Sequence, residues 1–164
     1  MIEIREIQPV TDALIQSALP DADYHDAHEV KITSGRFTTI EEFARAYFLA
    51  QPAWLRTISM NQPSRAKLER TVNIAKFEPG ESIGSWRIYM RNADEIVFGE
   101  SLGFMTYRFS LRLKRGTDTD TIIASTVAKM NNPLGKMYFA IVRLVHKRFV
   151  RLSLANALST TTRP

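Results

Sequence analysis

The chain has 164 residues and a mass of 18.7 kDa, which fits a single domain over residues 1–164. Hydrophobic residues make up 45% and charged residues 24%, as in ordinary globular proteins, and the absence of cysteine excludes a disulfide scaffold, thiolate catalysis and cysteine-ligated metal sites. The net charge of +5, with a pI of about 9.7, raises the question of an acidic partner.

Two short elements are predicted in the first part of the chain. Residues 10–19 favour a short helix, which ends at Pro20 because proline cannot continue a helix. A strand is expected around residues 28–33, and the turn-forming residues Ser34 and Gly35 end it.

Two short helices are predicted after this strand. Thr38 or Thr39 can cap the first helix, because a hydroxyl oxygen at that position accepts a hydrogen bond from the first turn. Pro52 suits the first turn of the second helix, which continues through Trp54. Residues 72–76 predict a short strand that leads into a loop.

A hairpin is predicted beyond residue 82, where apolar and polar residues alternate. A three-residue loop over 92–94 keeps the apolar side chains on one face, whereas a slip of one residue would mix the two faces. The inner-face pairs are then Met90–Ile96 and Ile88–Phe98. The same register puts Glu100 opposite Trp86, either at a sheet edge or as a buried acid.

The next strand, residues 104–114, has the clearest alternation in the chain, which is typical of a sheet with one packed and one wet face. The residues predicted to face inward are Met105, Tyr107, Phe109, Leu111 and Leu113. A β-branched strand over 121–130 follows, so four consecutive strands form an antiparallel meander.

A long helix ends the predicted order of elements. Asn132 caps it, Pro133 takes its first position, and it runs to about Leu158. One stripe is predicted to pack on the sheet: Leu134, Tyr138, Ile141, Val142, Val145, Phe149 and Leu152. The opposite side is basic: Lys136, Arg143, Lys147 and Arg151. His146 lies on the edge of the apolar stripe.

This order of elements resembles the helix-grip fold of START-like (SRPBCC) proteins, a superfamily with lipid-transfer domains, polyketide cyclases and birch-pollen-allergen relatives. Four segments resemble a bacterial family of unknown function within it: residues 19–24, 52–54, 94–99 and 131–135 with the following Tyr138, Val142 and His146. Leu144 and Val145 depart from the Pro-Phe pair expected there. The resemblance implies an α+β fold, in which a curved antiparallel sheet grips the long helix around an apolar cavity. It implies no catalytic residues.

The predicted cavity would bind a small hydrophobic or amphipathic ligand. The candidate ligand-binding residues are Trp54, Trp86, Met90, Met105, Tyr107, Phe109, Tyr138, Val142 and His146. The hydroxyls of Tyr107 and Tyr138 could orient a polar ligand head. His146 could act as a base or bond a ligand, but with no visible Ser, Asp or Glu partner it reads more simply as structural.

No metal or other cofactor is predicted. His25 and His28 lie beside acidic residues, but in an extended segment only His28 and Asp26 would share a face, which is too few ligands for a metal. No phosphate-binding loop, nucleophile elbow or zinc-protease motif is present. Catalytic residues therefore stay unassigned.

The charge is uneven along the chain. Residues 1–50 carry a net −5, residues 51–120 a net +3, and residues 121–164 a net +7 without any acid. The basic helix face could contact nucleic acid or lipid phosphates, but aromatic side chains for base stacking are missing there. We expect no specific nucleic-acid binding and at most weak membrane-surface contact. The acidic first segment could neutralise part of the positive charge within the molecule.

Three functions remain open at this point. The first is binding of a small hydrophobic molecule without catalysis. The second is a cyclase- or hydrolase-like enzyme in the same cavity, with His146, Tyr107 or Glu100 as acid or base. The third is an adaptor that contacts a membrane or another protein through the basic helix face. The oligomeric state stays open, with a homodimer as one arrangement. The charged N-terminus lacks a signal-peptide pattern, so a cytoplasmic location is expected.

Overall fold

A computed structural model gives the structure of the protein and describes residues 2–52 and 64–160. The strands are β1 (Ile4–Ile7), β2 (Tyr24–Thr33), β3 (Ser82–Ile83), β4 (Trp86–Arg91), β5 (Glu95–Ser101), β6 (Met105–Lys114) and β7 (Thr119–Met130). The helices are α1 (Ile15–Ala18), α2 (Ile40–Leu49), α3 (Arg65–Ile74) and α4 (Pro133–Thr160).

Over the described residues, the seven strands form one antiparallel sheet in the order β1-β2-β7-β6-β5-β4-β3. Strands β4 to β7 are the predicted meander, and β2 pairs with β7 along its whole length. The 28-residue helix α4 crosses one face of the sheet and packs on α2, β7 and β1. The fold is therefore the predicted α+β class, an antiparallel sheet that grips a long helix.

Several boundaries differ from the sequence-based expectations. The strand predicted at residues 72–76 is wrong, because this stretch mostly belongs to helix α3, which buries Leu68 and Val72 one turn apart. Strand β1 was not predicted, and β2 begins four residues earlier than expected. The first helix spans only Ile15–Ala18. The helix predicted from Pro52 through Trp54 lies outside the described residues beyond Pro52.

A β-bulge corrects the predicted hairpin register. Ile88 pairs with Phe98 as predicted, but Met90 pairs with Val97 instead of Ile96, because Tyr89 is an extra residue on β4. The guanidinium carbon of Arg108 lies 3.6 Å from the centre of the Tyr89 ring. The bulge turns Met90 to the outer face of the sheet, so the prediction that Met90 faces inward is wrong.

The outer face of the sheet is partly covered, whereas the sequence predicted a wet face. The segment around α1 packs there in a cluster of Ala13, Ile15, Leu19, Val97 and Val127, and Met90 joins it. Glu95 is 1% exposed and accepts hydrogen bonds from the backbone N–H groups of Leu14 and Ile15, at 2.8 and 3.2 Å. A buried carboxylate thus holds the start of α1 on the sheet.

The main core lies between α2, α3, the sheet and the second half of α4. Its fully buried aromatic side chains are Phe37, Phe43, Phe48, Phe77 and Phe98. Helix α4 contributes Val150, Leu154, Ala157 and Leu158 to this cluster. Thr39 accepts a hydrogen bond from the Glu42 N–H, so the predicted cap of α2 is confirmed.

The first half of α4 is rotated relative to the predicted stripe. Asn132 accepts a hydrogen bond from the Gly135 N–H at 3.0 Å, as predicted for the cap. Gly135 faces the carbonyl oxygen of Phe104 so closely that an added Cβ would lie 2.0 Å from it. This contact fixes which side of the helix meets the sheet. Leu134 and Ile141, predicted to be packed, are 53% and 66% exposed.

The rotation leaves an apolar ridge on the surface of α4, formed by Leu134, Met137, Ile141, Leu144 and Val145. The charged residues behave as the sequence suggested. Asp12 pairs with Arg112 at 3.0 Å, and Glu6 pairs with Lys147 of α4. Acids of the first segment therefore neutralise part of the positive charge within the molecule.

Candidate functional site

A cavity of about 200 Å³ lies between the inner face of the sheet, α2 and the first half of α4. The candidate residues that line it are Trp86, Met105, Tyr107, Phe109, Tyr138, Val142 and His146. Met90 is absent from this lining because the bulge turns it to the other face. Trp54 lies outside the described residues. The half-buried or exposed side chains of Glu100, Leu102 and Val145 also line the cavity, so it reaches the surface beside the apolar ridge.

The walls are mainly apolar. On β6, the alternating residues Met105, Tyr107 and Phe109 line the cavity. On α4, the apolar residues Phe139, Val142 and Phe149 line it from the opposite side. Phe109 stacks on Phe98 with ring centres 5.0 Å apart, which joins the cavity wall to the aromatic core. The packed aromatic core therefore supports the sheet side of the cavity. The opposite side is formed by the first half of α4, whose outer surface is exposed.

The volume limits what can enter. An engineered protein cavity of roughly 150 Å³ is large enough for benzene, whereas sites for drug-sized ligands usually span roughly 300–1,000 Å³. A cavity of about 200 Å³ therefore suits a molecule of one or two rings, or an aliphatic molecule of similar bulk.

A hydrogen-bonded polar cluster of Trp86, Tyr107 and Glu100 lies on the sheet side of the cavity. The indole N–H of Trp86 donates to the hydroxyl oxygen of Tyr107 at 2.7 Å, and this hydroxyl donates to Glu100 at 3.2 Å. Burial and the Glu100 carboxylate raise the pKa of Tyr107, so it stays protonated at neutral pH. Glu100 is half-buried at the inner face, close to the predicted position opposite Trp86.

A second polar cluster lies where α4 crosses β2. Tyr24, Asp26 and His28 alternate along β2 and so share its inner face, beneath His146 of α4. His146 Nε2 lies 3.1 Å from Asp26 Oδ2, and the Tyr24 hydroxyl donates to the same oxygen at 2.6 Å. Burial alone would raise the pKa of Asp26, but His146 and Tyr24 lower it below its ordinary value. Asp26 is thus a buried carboxylate.

His28 completes this cluster. Its side chain is fully buried, and Nδ1 lies 4.0 Å from Asp26 Oδ1. Neither ring nitrogen has a hydrogen-bond partner among the residues that the structure describes. Burial lowers the pKa of His28, more than the nearby Asp26 carboxylate raises it, so the ring is neutral at neutral pH.

The pairing of His146 with Asp26 is the feature that sequence reasoning missed. His146 was read without an acidic partner, because the two residues lie 120 positions apart. The alternation of β2 correctly places Asp26 and His28 on one face and the exposed His25 on the other, but only the position of α4 over β2 brings His146 to Asp26.

Neither a metal centre nor a membrane span is found in the described parts of the chain. Within residues 2–52 and 64–160, no three His, Asp or Glu side chains are placed to hold a metal ion. No helix in those ranges combines the length and the apolar character needed to cross a membrane.

The comparison with protein families supports the sequence resemblance. Residues 18–153 match the model of a family described as "Protein of unknown function (DUF2867)". The chain belongs to this family. No curated protein matches the sequence.

Two solved structures are similar to this chain at low sequence identity. The crystal structure of Ara h 8.0201 has 13% sequence identity and a TM-score of 0.39, over 83% of this chain and 99% of that one. The crystal structure of TTHA0849 from Thermus thermophilus has 10% identity and a TM-score of 0.32, over 84% of this chain and 96% of that one.

Residues in three of the segments that carried the family resemblance have structural roles in the fold. Glu95 fixes the start of α1, and Asn132 caps α4. Asp23 accepts a hydrogen bond from the Met130 N–H at 2.9 Å, and the Asn131 amide donates to the Gly103 carbonyl at 2.9 Å. The contacts of Asp23, Asn131 and Asn132 hold the chain that leads into α4, whereas Glu95 acts on the opposite face of the sheet.

Proposed function

We propose that the protein binds a small, mostly apolar molecule in the cavity beneath the first half of α4. The observation that carries this proposal is the cavity itself, with about 200 Å³ of space, mainly apolar walls and a small number of polar side chains, which include the Trp86–Tyr107 and Asp26–His146 pairs at its edges. A few placed polar groups in an apolar pocket are the usual composition of a ligand site.

The cost of the cavity supports this proposal. Apolar side chains that face an open space lose the packing contacts that larger neighbouring side chains would give them. A chain that filled this space with larger side chains would be more stable, so the open space favours a binding role over a purely structural one.

A matched pair of variants tests the proposal. Val142→Trp fills the cavity, whereas Ile141→Trp places the same side chain at the adjacent, 66% exposed position. Binding of 4-nitroanisole, a neutral one-ring probe, is measured by calorimetry at equal protein concentrations. We expect binding to the wild type and to Ile141→Trp, and at least about tenfold weaker binding to Val142→Trp. Equal affinity in both variants would show that the probe binds elsewhere.

The surface of α4 supports a second candidate function, contact with an anionic membrane surface. The apolar ridge is exposed, with Leu144 at 78%, and α4 carries five bases and no acid. Arg148 lies on the same side of the helix as the ridge, so a second copy seated there would bring uncompensated bases together. An anionic lipid surface complements both the charge and the apolar side chains.

Vesicle flotation tests this second candidate. We expect the protein to float with phosphatidylglycerol-containing vesicles at low salt, less with phosphatidylcholine vesicles, and less again as salt rises. Leu144→Gln should reduce flotation, while Ser159→Gln, at the far end of the helix, should not. Absent or salt-insensitive flotation would refute the candidate. Concentration-dependent dimers lost in Leu144→Gln would assign the ridge to a second copy instead.

A further inference from the structure

The Asp26–His146 pair gives the cavity a group that can accept a proton. Asp26 is 5% exposed and stands behind His146, on the side away from the cavity, while His146 itself lines the cavity. Nε2 lies 3.1 Å from the carboxylate but is not aligned for a hydrogen bond in this structure. A small rotation of the ring would form the Nε2–H to Oδ2 bond and leave Nδ1 for a ligand. An imidazole oriented by a buried carboxylate is an arrangement suited to accepting protons.

We propose that the bound molecule carries an acidic hydroxyl group, a phenol or an enol, and that His146 accepts its proton. This rests on the proposed function, because it names the class of ligand for the same cavity. In the step, the ligand O–H bond breaks and its electron pair stays on the oxygen, while a new N–H bond forms at His146 Nδ1. The product is an oxyanion beside an imidazolium, with Asp26 as the counter-ion on the far side.

The charges around the pair favour a weak acid over a ligand that is already an anion. Asp26 gives the pocket one buried negative charge, so an entering anion would add a second one unless a proton came with it. A neutral phenol or enol brings its own proton, and the total charge of the site stays the same through the transfer. The hydrogen bond from Tyr24 to Asp26 Oδ2 keeps the carboxylate ionised.

Other ionisable groups surround this pair from each packed element. They are Tyr24 and His28 on β2, Glu6 on β1, Arg143 and Arg151 on α4, and Glu100, Tyr107 and Tyr138 around the cavity. Tyr24 and Tyr107 have raised pKa values and His28 a lowered one, so these three stay neutral at neutral pH. Only Asp26 lies within ion-pair distance of His146 in the described chain.

Two probes of nearly equal size separate proton transfer from simple binding. 4-Nitrophenol absorbs at a longer wavelength when it is ionised, so its spectrum reports transfer directly, whereas 4-nitroanisole has no proton to give. We expect bound 4-nitrophenol to ionise with an apparent pKa at least about one unit below that of the free probe, a tenfold shift in the ionisation equilibrium.

Variants identify the groups responsible. Asp26→Asn keeps the shape but removes the counter-ion, and His146→Gln removes the acceptor nitrogen. In each variant, the apparent pKa of bound 4-nitrophenol should return toward that of the free probe, a change of at least about tenfold in the ionisation equilibrium. His25→Gln, an exposed change on the same strand, should leave the binding of both probes and the ionisation of 4-nitrophenol unaffected. If the circular dichroism of Asp26→Asn shows that it does not fold, His146→Gln decides the outcome alone.

The outcomes separate this inference from the proposed function. A wild-type protein that binds both probes but leaves 4-nitrophenol neutral overturns the inference and leaves the proposed function standing. Ionisation that persists in His146→Gln overturns the assignment of the acceptor. Failure of the wild type to bind 4-nitroanisole overturns the proposed function, and the inference fails with it.

Discussion

The two halves of α4 differ in how they pack. Between Val150 and Leu158 the helix buries five side chains, Val150, Ser153, Leu154, Ala157 and Leu158, against α2 and the aromatic core. Between Leu134 and Val145 it leaves the apolar ridge exposed and spans a cavity. The same helix therefore anchors the fold at one end and covers the cavity at the other. The part of the helix that stabilises the fold is thus separate from the part that covers the proposed ligand site.

Truncation in the packed half should have the largest effect. Leu154→Ala removes a fully buried side chain, and we expect a loss of about 2–5 kcal/mol in the free energy of unfolding. Val142→Ala enlarges a space that already exists, so its loss should stay below about 1 kcal/mol. Urea unfolding measures both. Equal losses at the two positions would contradict the distinction between the halves.

A close contact at the start of α4 gives the next largest effect. An added Cβ at Gly135 would meet the Phe104 carbonyl oxygen, so Gly135→Ala should cost about 1–3 kcal/mol. It should also move the first half of α4 and weaken binding of 4-nitroanisole. Ala140→Gly, at an exposed position further along the same helix, should cost only about 1 kcal/mol and leave probe binding unchanged. If Gly135→Ala left the free energy of unfolding unchanged, the start of the helix would be able to shift without cost.

The acid stability of the cluster under the first half depends on His28. Burial lowers the pKa of His28 in the folded state below its unfolded-state pKa of about 6.5. The contribution of His28 to the free energy of unfolding is therefore full above about pH 6.5 and is lost as the pH falls toward the folded-state pKa. Between pH 7.5 and pH 5, we expect the free energy of unfolding to fall less in His28→Leu than in the wild type. The two slopes should differ by up to about 1.4 kcal/mol per pH unit. His25→Leu is the exposed control. Parallel pH profiles for the wild type and His28→Leu would show that His28 does not titrate differently on unfolding.

The smallest effect is expected where α4 meets β1 at the surface. Lys147 and Glu6 form an ion pair in which both side chains are more than 40% exposed. Such pairs contribute about 0–1 kcal/mol, because water and salt screen them. Lys147→Ala should therefore change the free energy of unfolding by less than about 1 kcal/mol, measured in a double-mutant cycle with Glu6→Ala. A coupling above about 2 kcal/mol would make this contact as important as the buried core.

Local patterns allowed much of the fold to be predicted. The alternation of residues 104–114 gave the correct inner face of β6, and the caps at Thr39 and Asn132 were found because capping needs only nearby residues. The meander followed from the same periodicity and from the turns between its strands.

The predictions that were wrong or missing concern features that depend on contacts between residues far apart in the sequence. The helical wheel gives an apolar stripe on α4, but the contact of Gly135 with Phe104 selects the side that packs. The bulge at Tyr89 depends on the neighbouring strands, and it turned Met90 away from the cavity. His146 could not be paired with Asp26 because β2 and α4 lie at opposite ends of the chain.

The central claim is that the first half of α4 covers a ligand site, and the most direct test is to locate a bound probe. Nuclear Overhauser effects between 4-nitroanisole and the protein would locate it. The account predicts contacts with Val142, Phe109 and Tyr138, which line the cavity, and none with the ridge residues Met137 and Leu144. Contacts with the ridge alone, or none with the cavity residues, would contradict the claim that the first half of α4 covers a ligand site.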